Sequence, residues 1–422
     1  MSRSGTGPLA GVLVAPFLAL TLHAQSVPTA AKPEDVGLSA ARLTVITATM
    51  QRHIDDADVA GVVTLVARRG RVAHLEALGM KNIAAKAPMT TDAVFRLASM
   101  SKPITGVAVM MLVEEGTIAL TDPVAQYIPE FAGSKVAVAR PGGGGRGRGA
   151  GAGSEPAYDV VSATRAITIG DLLMHTSGLV SGGLGAAAAP PVSDTDTLAT
   201  HIPKLGAVPL DFQPGTLWRY SGQAGFNVLG RVIEIVSGQT FDVFLKERLF
   251  DPLGMRSTGF VPPQGDEARI PVLYQRGANG LQPTDTPTST TYFAGASALM
   301  SSATDYLQFA QMLLNGGELN GRRYLSPRTV ALMTANHTGD MVNGQFGRPA
   351  RGMGFGLSMQ VVQDPVAADL RVSKGAYGWA GGTGVSFWIE PEEEMVSIFM
   401  IQGAGGGVRQ SFENAVRQAI ID

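Results

Sequence analysis

The sequence of 422 residues predicts an α+β fold with an antiparallel sheet flanked by helices and a second, all-helical lobe. Near the N-terminus, residues 61–67 and 72–78 are apolar or β-branched and enclose an Arg-Gly turn, a pattern typical of a hairpin. Near the C-terminus, residues 385–389 and 395–401 form a similar pair around Pro391. Because both ends supply strands, we expect them to share one sheet, with the helical lobe between them.

Helical patterns accompany both strand pairs. Ser39 is a candidate N-cap, and apolar residues follow it at helical spacing, namely Leu43, Ile46, Met50 and Ile54. Residues 412–420 predict a terminal helix. We therefore predict a sheet lobe over about residues 33–125 and 290–422 and a helical lobe over about 126–289.

The first 24 residues predict a secretory signal peptide. Arg3 precedes a short apolar stretch that ends near a small residue, Ala24, and the stretch is too short to span a bilayer. We expect cleavage before Gln25, a single mature domain over residues 25–422, and an exported protein that is periplasmic or secreted. No later segment predicts a membrane span.

Composition excludes several function classes. The chain has no cysteine, which rules out disulfides and thiolate chemistry, and its formal net charge is -2, which does not favour nucleic-acid binding. Residues 141–153 are almost entirely Gly, Arg and Ala and predict a flexible loop. The histidines show no i, i+4 pair, so we expect no metal and no organic cofactor.

A serine and a lysine three residues apart form the first candidate catalytic pair. Ser99 and Lys102 lie at the start of an apolar helical pattern, and residues at this spacing share one helical face. We expect the helix N-terminus to stabilise charge on the serine oxygen. Partial burial should lower the pKa of Lys102 toward the working pH, so that it can activate the serine.

Tyr220 is the second candidate catalytic residue. It follows a Pro-Gly turn at residues 214–215 and precedes a helical pattern that ends at Gly238. A tyrosine there could relay protons if a neighbouring cation lowered its pKa from about 10. We expect Lys102 to be that cation.

The third element is the glycine-rich segment 377–384, which leads into a predicted strand. Trp379 offers a flat wall for substrate, and an N–H of Gly381 or Gly382 could join that of Ser99 as an oxyanion hole.

Together, these motifs resemble the penicillin-recognising serine hydrolases, specifically the class C β-lactamase-like superfamily, from about Pro33 to the C-terminus. Three further segments support the resemblance, and they are residues 169–179 (IGDLLMHTSGL), 251–255 (DPLGM) and 299–305 (LMSSATD). The resemblance implies an antiparallel sheet beside a helical domain, with the site between them. It also implies that Ser99 is the acylated nucleophile, Lys102 its partner and Tyr220 the second base and acid. His175, within the first of these segments, is interpreted as structural.

Two departures from the β-lactamase pattern favour an esterase. Gly222 stands where those enzymes carry Asn, and residues 379–381 read Trp-Ala-Gly instead of Lys-Thr-Gly. Both changes remove polar anchors for a charged amide substrate, and the Trp-led motif resembles family VIII carboxylesterases.

The predicted function is hydrolysis of a small carboxylic ester through an acyl-enzyme. The alternatives are a β-lactamase or D-alanyl-D-alanine carboxypeptidase acting on amides, and a non-catalytic binder of cell-wall fragments. The sequence leaves five points open: the natural substrate with its acyl and alcohol preference, whether β-lactams are turned over, which of Lys102 and Tyr220 is the base, the oligomeric state, and the role of the 141–153 loop.

Overall fold

The computed structural model describes residues 26–140, 158–262, 265–278, 280–284, 289–342, 351–403, 405 and 407–422, together with Met1. The predicted signal peptide beyond Met1 and the predicted loop 141–153 lie outside the described residues.

The described α-helices and strands follow one another in groups along the chain. The helices are α1 (Ala40–Asp55), α2 (Ser101–Glu114), α3 (Ile169–Leu173), α4 (Leu198–His201), α5 (Ala224–Ser237), α6 (Phe241–Leu245), α7 (Asp251–Leu253), α8 (Ala303–Leu314), α9 (Pro327–Met333) and α10 (Val408–Arg417). The strands are β1 (Gly61–Arg68), β2 (Arg71–Asn82), β3 (Ala87–Pro88), β4 (Phe95–Arg96), β5 (Lys135–Ala139), β6 (Tyr158–Ser162), β7 (Leu273–Gly277), β8 (Gly280–Thr284), β9 (Met300–Ser301), β10 (Glu318–Leu319), β11 (Arg322–Arg323), β12 (Met353–Phe355), β13 (Gln360–Val362), β14 (Tyr377–Ala380), β15 (Ser386–Glu390) and β16 (Met395–Ile401).

Eight strands form one sheet in the order β12-β13-β14-β15-β16-β1-β2-β3. Neighbouring strands run antiparallel, and β1 pairs with β16 from Val62 opposite Ile401 to Arg68 opposite Met395. All eight residues of β1 are buried, as expected of a central strand covered on both faces. The prediction of an α+β fold with a sheet built from both ends of the chain is confirmed.

Helices cover both faces of this sheet. Alternate side chains of β1 point to opposite faces, so Val62 and Val66 pack with α1 and α10 in one core cluster. Val63 and Leu65 instead join the larger cluster that contains α2, α5 and α8. The proposed lobe boundaries near residues 126 and 289 stay a prediction. The segment between them is not all-helical as predicted, because it also contains the two-stranded sheets β5–β6 and β7–β8.

The terminal helix differs from its predicted bounds. α10 starts at Val408 and ends at Arg417, earlier at both ends than the predicted 412–420. Gly407 begins the helix with a left-handed φ of 77°. The final residues leave the helix because Ile420 bridges to Leu38 and the Ala419 carbonyl accepts from Ser39.

The helix after the candidate nucleophile is buried more completely than its sequence pattern indicates. The pattern predicts one apolar stripe, but α2 is buried from Ser101 to Leu112 without interruption. Ser358 packs against Gly106 so closely that a Cβ on this glycine would lie 2.2 Å from the serine Oγ. Among the described residues, no helix is both long enough and apolar enough to cross a membrane.

Candidate active site

Ser99 lies in a short 3-10 turn, Ala98–Met100, directly before α2. The preceding residue, Ala98, has a φ of 45°, which is unfavourable for a residue with a Cβ and typical of functional sites. Two long-range bonds hold the turn: Leu97 N–H donates to the Leu299 carbonyl at 2.9 Å, and the Tyr306 hydroxyl donates to the Met100 carbonyl at 3.0 Å. The serine is therefore presented on a braced segment at the N-terminal end of a buried helix.

Lys102 lies in the first turn of α2 with no solvent exposure. Its Nζ lies 2.7 Å from the Gly222 carbonyl oxygen, 2.9 Å from the Ala296 carbonyl oxygen and 3.3 Å from Ser99 Oγ. Burial lowers the pKa of Lys102 from 10.5 to about 7. A neutral amine has two N–H donors and one lone pair. The two carbonyls can take the donors, which leaves the lone pair for the Ser99 hydroxyl proton.

Tyr220 completes the cluster. Its hydroxyl lies 2.6 Å from Ser99 Oγ, and its ring lies 5.0 Å from Lys102 Nζ. Burial raises the pKa of Tyr220, while hydrogen bonds with Ser99 and Trp379 lower it by less. The expectation that Lys102 lowers this pKa is wrong, because burial disfavours both the ammonium and the phenolate. The pair thus combines a protonated phenol with an amine that is about half neutral at pH 7.

Trp379 lies on β14 beside Tyr220, with ring centroids 5.6 Å apart. It is 7% exposed, and its indole N–H is a donor only. The polar interaction between the indole and the phenol lowers the pKa of Tyr220, by less than burial raises it. The sequence indicated only a flat wall, whereas the structure adds a polar contact with the candidate proton carrier.

The two candidate oxyanion glycines differ in their backbone bonds. The Gly381 N–H donates to the Val385 carbonyl at 2.8 Å, so it is already used within the strand connection. Of the two, this leaves the N–H of Gly382, for which no acceptor is found among the described residues. A Cβ on Gly381 would lie 2.2 Å from the Leu97 carbonyl oxygen, whereas one on Gly382 would meet nothing within 4 Å. The end of β14 thus packs against the segment before Ser99.

Sequence reasoning missed the residues that hold Lys102. The carbonyls of Gly222 and Ala296 bind its amine, and Asn227 on α5 fixes Ala296 by accepting its N–H at 3.0 Å. The other end of the Asn227 side chain donates to the Tyr292 hydroxyl at 3.1 Å. Backbone carbonyls carry no signal in a sequence, but a buried Asn in an apolar helix could have been singled out.

Ionisable groups near the cluster do not form a metal site. Within the part of the chain that the structure describes, no three His, Asp or Glu side chains are grouped so that they could hold a metal ion.

The fold and the Ser-Lys-Tyr cluster place the chain among the penicillin-recognising serine hydrolases. A family model described as Beta-lactamase matches residues 46–420, and the chain belongs to this family. The resemblance predicted from the sequence motifs is confirmed.

Similar proteins include both esterases and proteins without an assigned activity. Protein Rv1367c of Mycobacterium tuberculosis is 33% identical over 370 residues, covering 83% of this chain and 88% of that protein. Esterase EstB of Burkholderia gladioli is 29% identical over 421 residues, covering 92% and 97%. The solved structure of EstCE1, described as a hydrolase with promiscuous acyltransferase activity, has a TM-score of 0.73 at 26% identity and covers 89% and 99%.

Proposed function

We propose that this protein hydrolyses carboxylic esters through an acyl-enzyme on Ser99. The observation that carries the proposal is the hydrogen-bonded cluster in which Ser99 Oγ lies within 3.3 Å of Lys102 Nζ and 2.6 Å of the Tyr220 hydroxyl. With a pKa of about 7, Lys102 is half neutral at neutral pH and can act as the base.

Acylation follows from this arrangement. Ser99 Oγ attacks the ester carbonyl carbon while its proton moves to Lys102 Nζ. The carbon–oxygen bond to the alcohol then breaks, and the leaving oxygen takes the proton of the Tyr220 hydroxyl. The resulting phenolate lies beside the new ammonium and regains a proton from it. The free alcohol departs, and the acyl group stays on the serine.

Deacylation uses the same groups in the reverse sense. As water attacks the acyl carbon, the Tyr220 hydroxyl takes a proton from the water and passes its own proton to the neutral Lys102 amine. The bond from the acyl carbon to Ser99 Oγ then breaks, Oγ takes the proton from the Lys102 ammonium, and the free carboxylic acid departs. In both tetrahedral intermediates, the N–H groups of Ser99 and Gly382 would donate to the oxyanion. Such preorganised donors are each worth about 10²–10³ in rate.

Three features support an ester over an amide substrate. Trp379 occupies the third motif, where its indole contacts Tyr220 and brings no positive charge for a substrate carboxylate. Gly222 contributes a carbonyl to Lys102 and no side chain to a substrate amide. The similarity to EstB spans nearly the whole of both chains.

The test compares p-nitrophenyl butyrate and nitrocefin as substrates for the wild type and Ser99→Ala. We expect ester turnover that is lost in Ser99→Ala, with weak or absent nitrocefin turnover. Efficient nitrocefin turnover that depends on Ser99 would replace the ester assignment with a β-lactamase-type amide hydrolase.

A fluorophosphonate probe provides a separate check of the nucleophile. Intact-mass analysis should show one adduct on the wild type and none on Ser99→Ala. A wild-type chain that neither turns over the ester nor takes up the probe would point to a non-catalytic binder, and ester turnover surviving in Ser99→Ala would refute the mechanism.

We further propose export, on the strength of the N-terminal pattern alone. Expression of the full chain in a bacterial host, followed by fractionation and N-terminal sequencing, should give a periplasmic or secreted product starting at Gln25. An uncleaved product in the cytoplasm would contradict this proposal.

A further inference from the structure

His175 occupies a conformation that disfavours histidine. It follows α3 and its capping residue Met174, and its φ is 59°, in the left-handed region where glycine is usual at helix ends. An L-residue in this region is less stable by about 1 kcal/mol. The side chain is 1% exposed, and its Nε2 has no hydrogen-bond partner among the described residues. Since both features reduce stability, any benefit of the imidazole lies in the contacts that it makes.

Those contacts lie on both sides of Tyr220. The Arg219 N–H donates to the His175 carbonyl oxygen at 3.1 Å. The Ser221 N–H donates to His175 Nδ1 at 3.2 Å. His175 therefore binds the backbone N–H groups of both residues that flank the tyrosine, which limits movement of the backbone that carries the phenol.

The imidazole ring also contacts the tyrosine directly. The ring centroids of His175 and Tyr220 lie 4.7 Å apart, and Trp218, Phe226 and Phe355 contact the same imidazole at 5.3–5.8 Å. Because Nδ1 accepts a hydrogen bond, the imidazole is neutral with its proton on Nε2. Burial and the nearby charge of Lys102 hold the pKa of His175 well below its usual value, in keeping with this neutral form.

We propose that His175 is a positioning residue that holds Tyr220 against Ser99 by binding the backbone N–H groups of both flanking residues and supporting the phenol ring. The inference rests on the proposed function and extends it from the three reacting side chains to His175, which contacts the ring of Tyr220. His175 exchanges no proton with the substrate, and its effect on turnover passes through Tyr220.

The test compares two variants that both tolerate a positive φ, His175→Gly and His175→Asn. Neither has the ring, but the Asn Oδ1 takes the place of Nδ1 and can accept the Ser221 N–H. A displacement of about 1 Å can lower turnover by about 100-fold, so we expect His175→Gly to reduce kcat for p-nitrophenyl butyrate by roughly that factor, with KM within about twofold. His175→Asn should recover about tenfold of this loss through the restored hydrogen bond.

A matched control and a double-mutant cycle separate positioning from general stability. His74 on β2 also bonds through one ring nitrogen, to Thr64 Oγ1 at 2.8 Å, and does not contact the cluster. His74→Asn should leave kcat unchanged at a temperature well below its melting point. In a Tyr220→Phe background, His175→Gly should lower kcat by less than about twofold, because its effect requires the phenol hydroxyl.

Several results would overturn the inference. Equal kcat for the Gly and Asn variants would show that the bond to the Ser221 N–H does not position the tyrosine. A loss confined to KM, or losses that multiply in the Tyr220→Phe background, would show that His175 acts independently of Tyr220. Circular dichroism and thermal melting on every variant confirm that the compared chains are folded. If Ser99→Ala were active, the proposed function itself would fail. This outcome is distinct from losses in kcat that multiply between His175→Gly and Tyr220→Phe, which would overturn only the role of His175.

Discussion

Raising the pH from 6 to 8 should convert Lys102 from an ammonium to an amine. Burial lowers its pKa to about 7, so roughly a tenth of the side chains are neutral at pH 6 and roughly nine tenths at pH 8. If the neutral amine is the base, kcat/KM rises about tenfold between these values and is level above pH 8 until another group titrates. An ordinary lysine would instead give about a 100-fold rise over the same interval, and the rise would continue toward pH 10.

The assay is the initial rate of p-nitrophenyl butyrate hydrolysis well below KM, from pH 5.5 to 9.5. Each rate is corrected for the ionisation of p-nitrophenol and for spontaneous hydrolysis. Because kcat/KM reports on the free enzyme, the midpoint of the acid limb can be compared directly with the pKa of Lys102.

A chemical replacement of the amine identifies the titrating group. The chain has no cysteine, so Lys102→Cys introduces one thiol that can be alkylated with 2-bromoethylamine in the unfolded chain before refolding. The product is a lysine analogue in which sulfur replaces a methylene and lowers the amine pKa. Lys102→Cys should be inactive, and alkylation should restore turnover with the acid limb displaced to lower pH.

Two outcomes would refute this reasoning. An acid limb that continues to rise beyond pH 9 would mean that Lys102 keeps an ordinary pKa. An acid limb that is unchanged in the alkylated protein would mean that a different group titrates. Lys102→Arg serves as a control, because the guanidinium stays protonated at every pH of the assay and should give no turnover.

The remaining predictions concern the oxyanion site and the stability of the fold. Gly381→Ala should lower both kcat and the melting temperature, since its Cβ would lie 2.2 Å from the Leu97 carbonyl oxygen. Gly382→Ala should retain both, because its Cβ meets nothing within 4 Å and the backbone N–H is unchanged. Equal effects of the two substitutions would contradict the packing of β14 described above. Asp171 is 2% exposed and bonded to Arg165, and although burial raises its pKa, the bonds to Arg165 and Thr168 lower it more. Its contribution to stability is therefore present above its unfolded pKa of about 4 and is lost as the pH falls through its lower folded pKa. Asp171→Asn should reduce the free energy of unfolding at pH 7 by about 2–3 kcal/mol, and the difference from wild type should shrink in urea titrations at pH 3.

Local patterns in the sequence predict the bounds of an element correctly where those bounds are set by interactions between neighbouring residues. Strand β1 and helix α5 follow their predicted bounds closely, because an apolar strand pattern, helical spacing and a glycine stop are properties of neighbouring residues. Strand β2 begins one residue before its predicted start and runs four residues beyond its predicted end, to Asn82. α10 was displaced because its end is set by a bridge between Leu38 and Ile420, which are far apart in the chain.

The sequence by itself determined which side chains could react, since Ser99 and Lys102 are one helical turn apart and Tyr220 stands at a helix start. The tertiary structure decided their protonation, because Lys102 lies in a buried helix without contact with solvent. Its amine bonds instead to carbonyls that lie 120 and 194 residues further along the chain. It also decided that the Gly381 N–H is bonded to the Val385 carbonyl, which the strand connection brings near it, and this leaves Gly382 as the candidate oxyanion donor of the two. Solvation and backbone hydrogen bonding depend on what the fold places around a group, and every residue carries the same carbonyl and, proline apart, the same N–H.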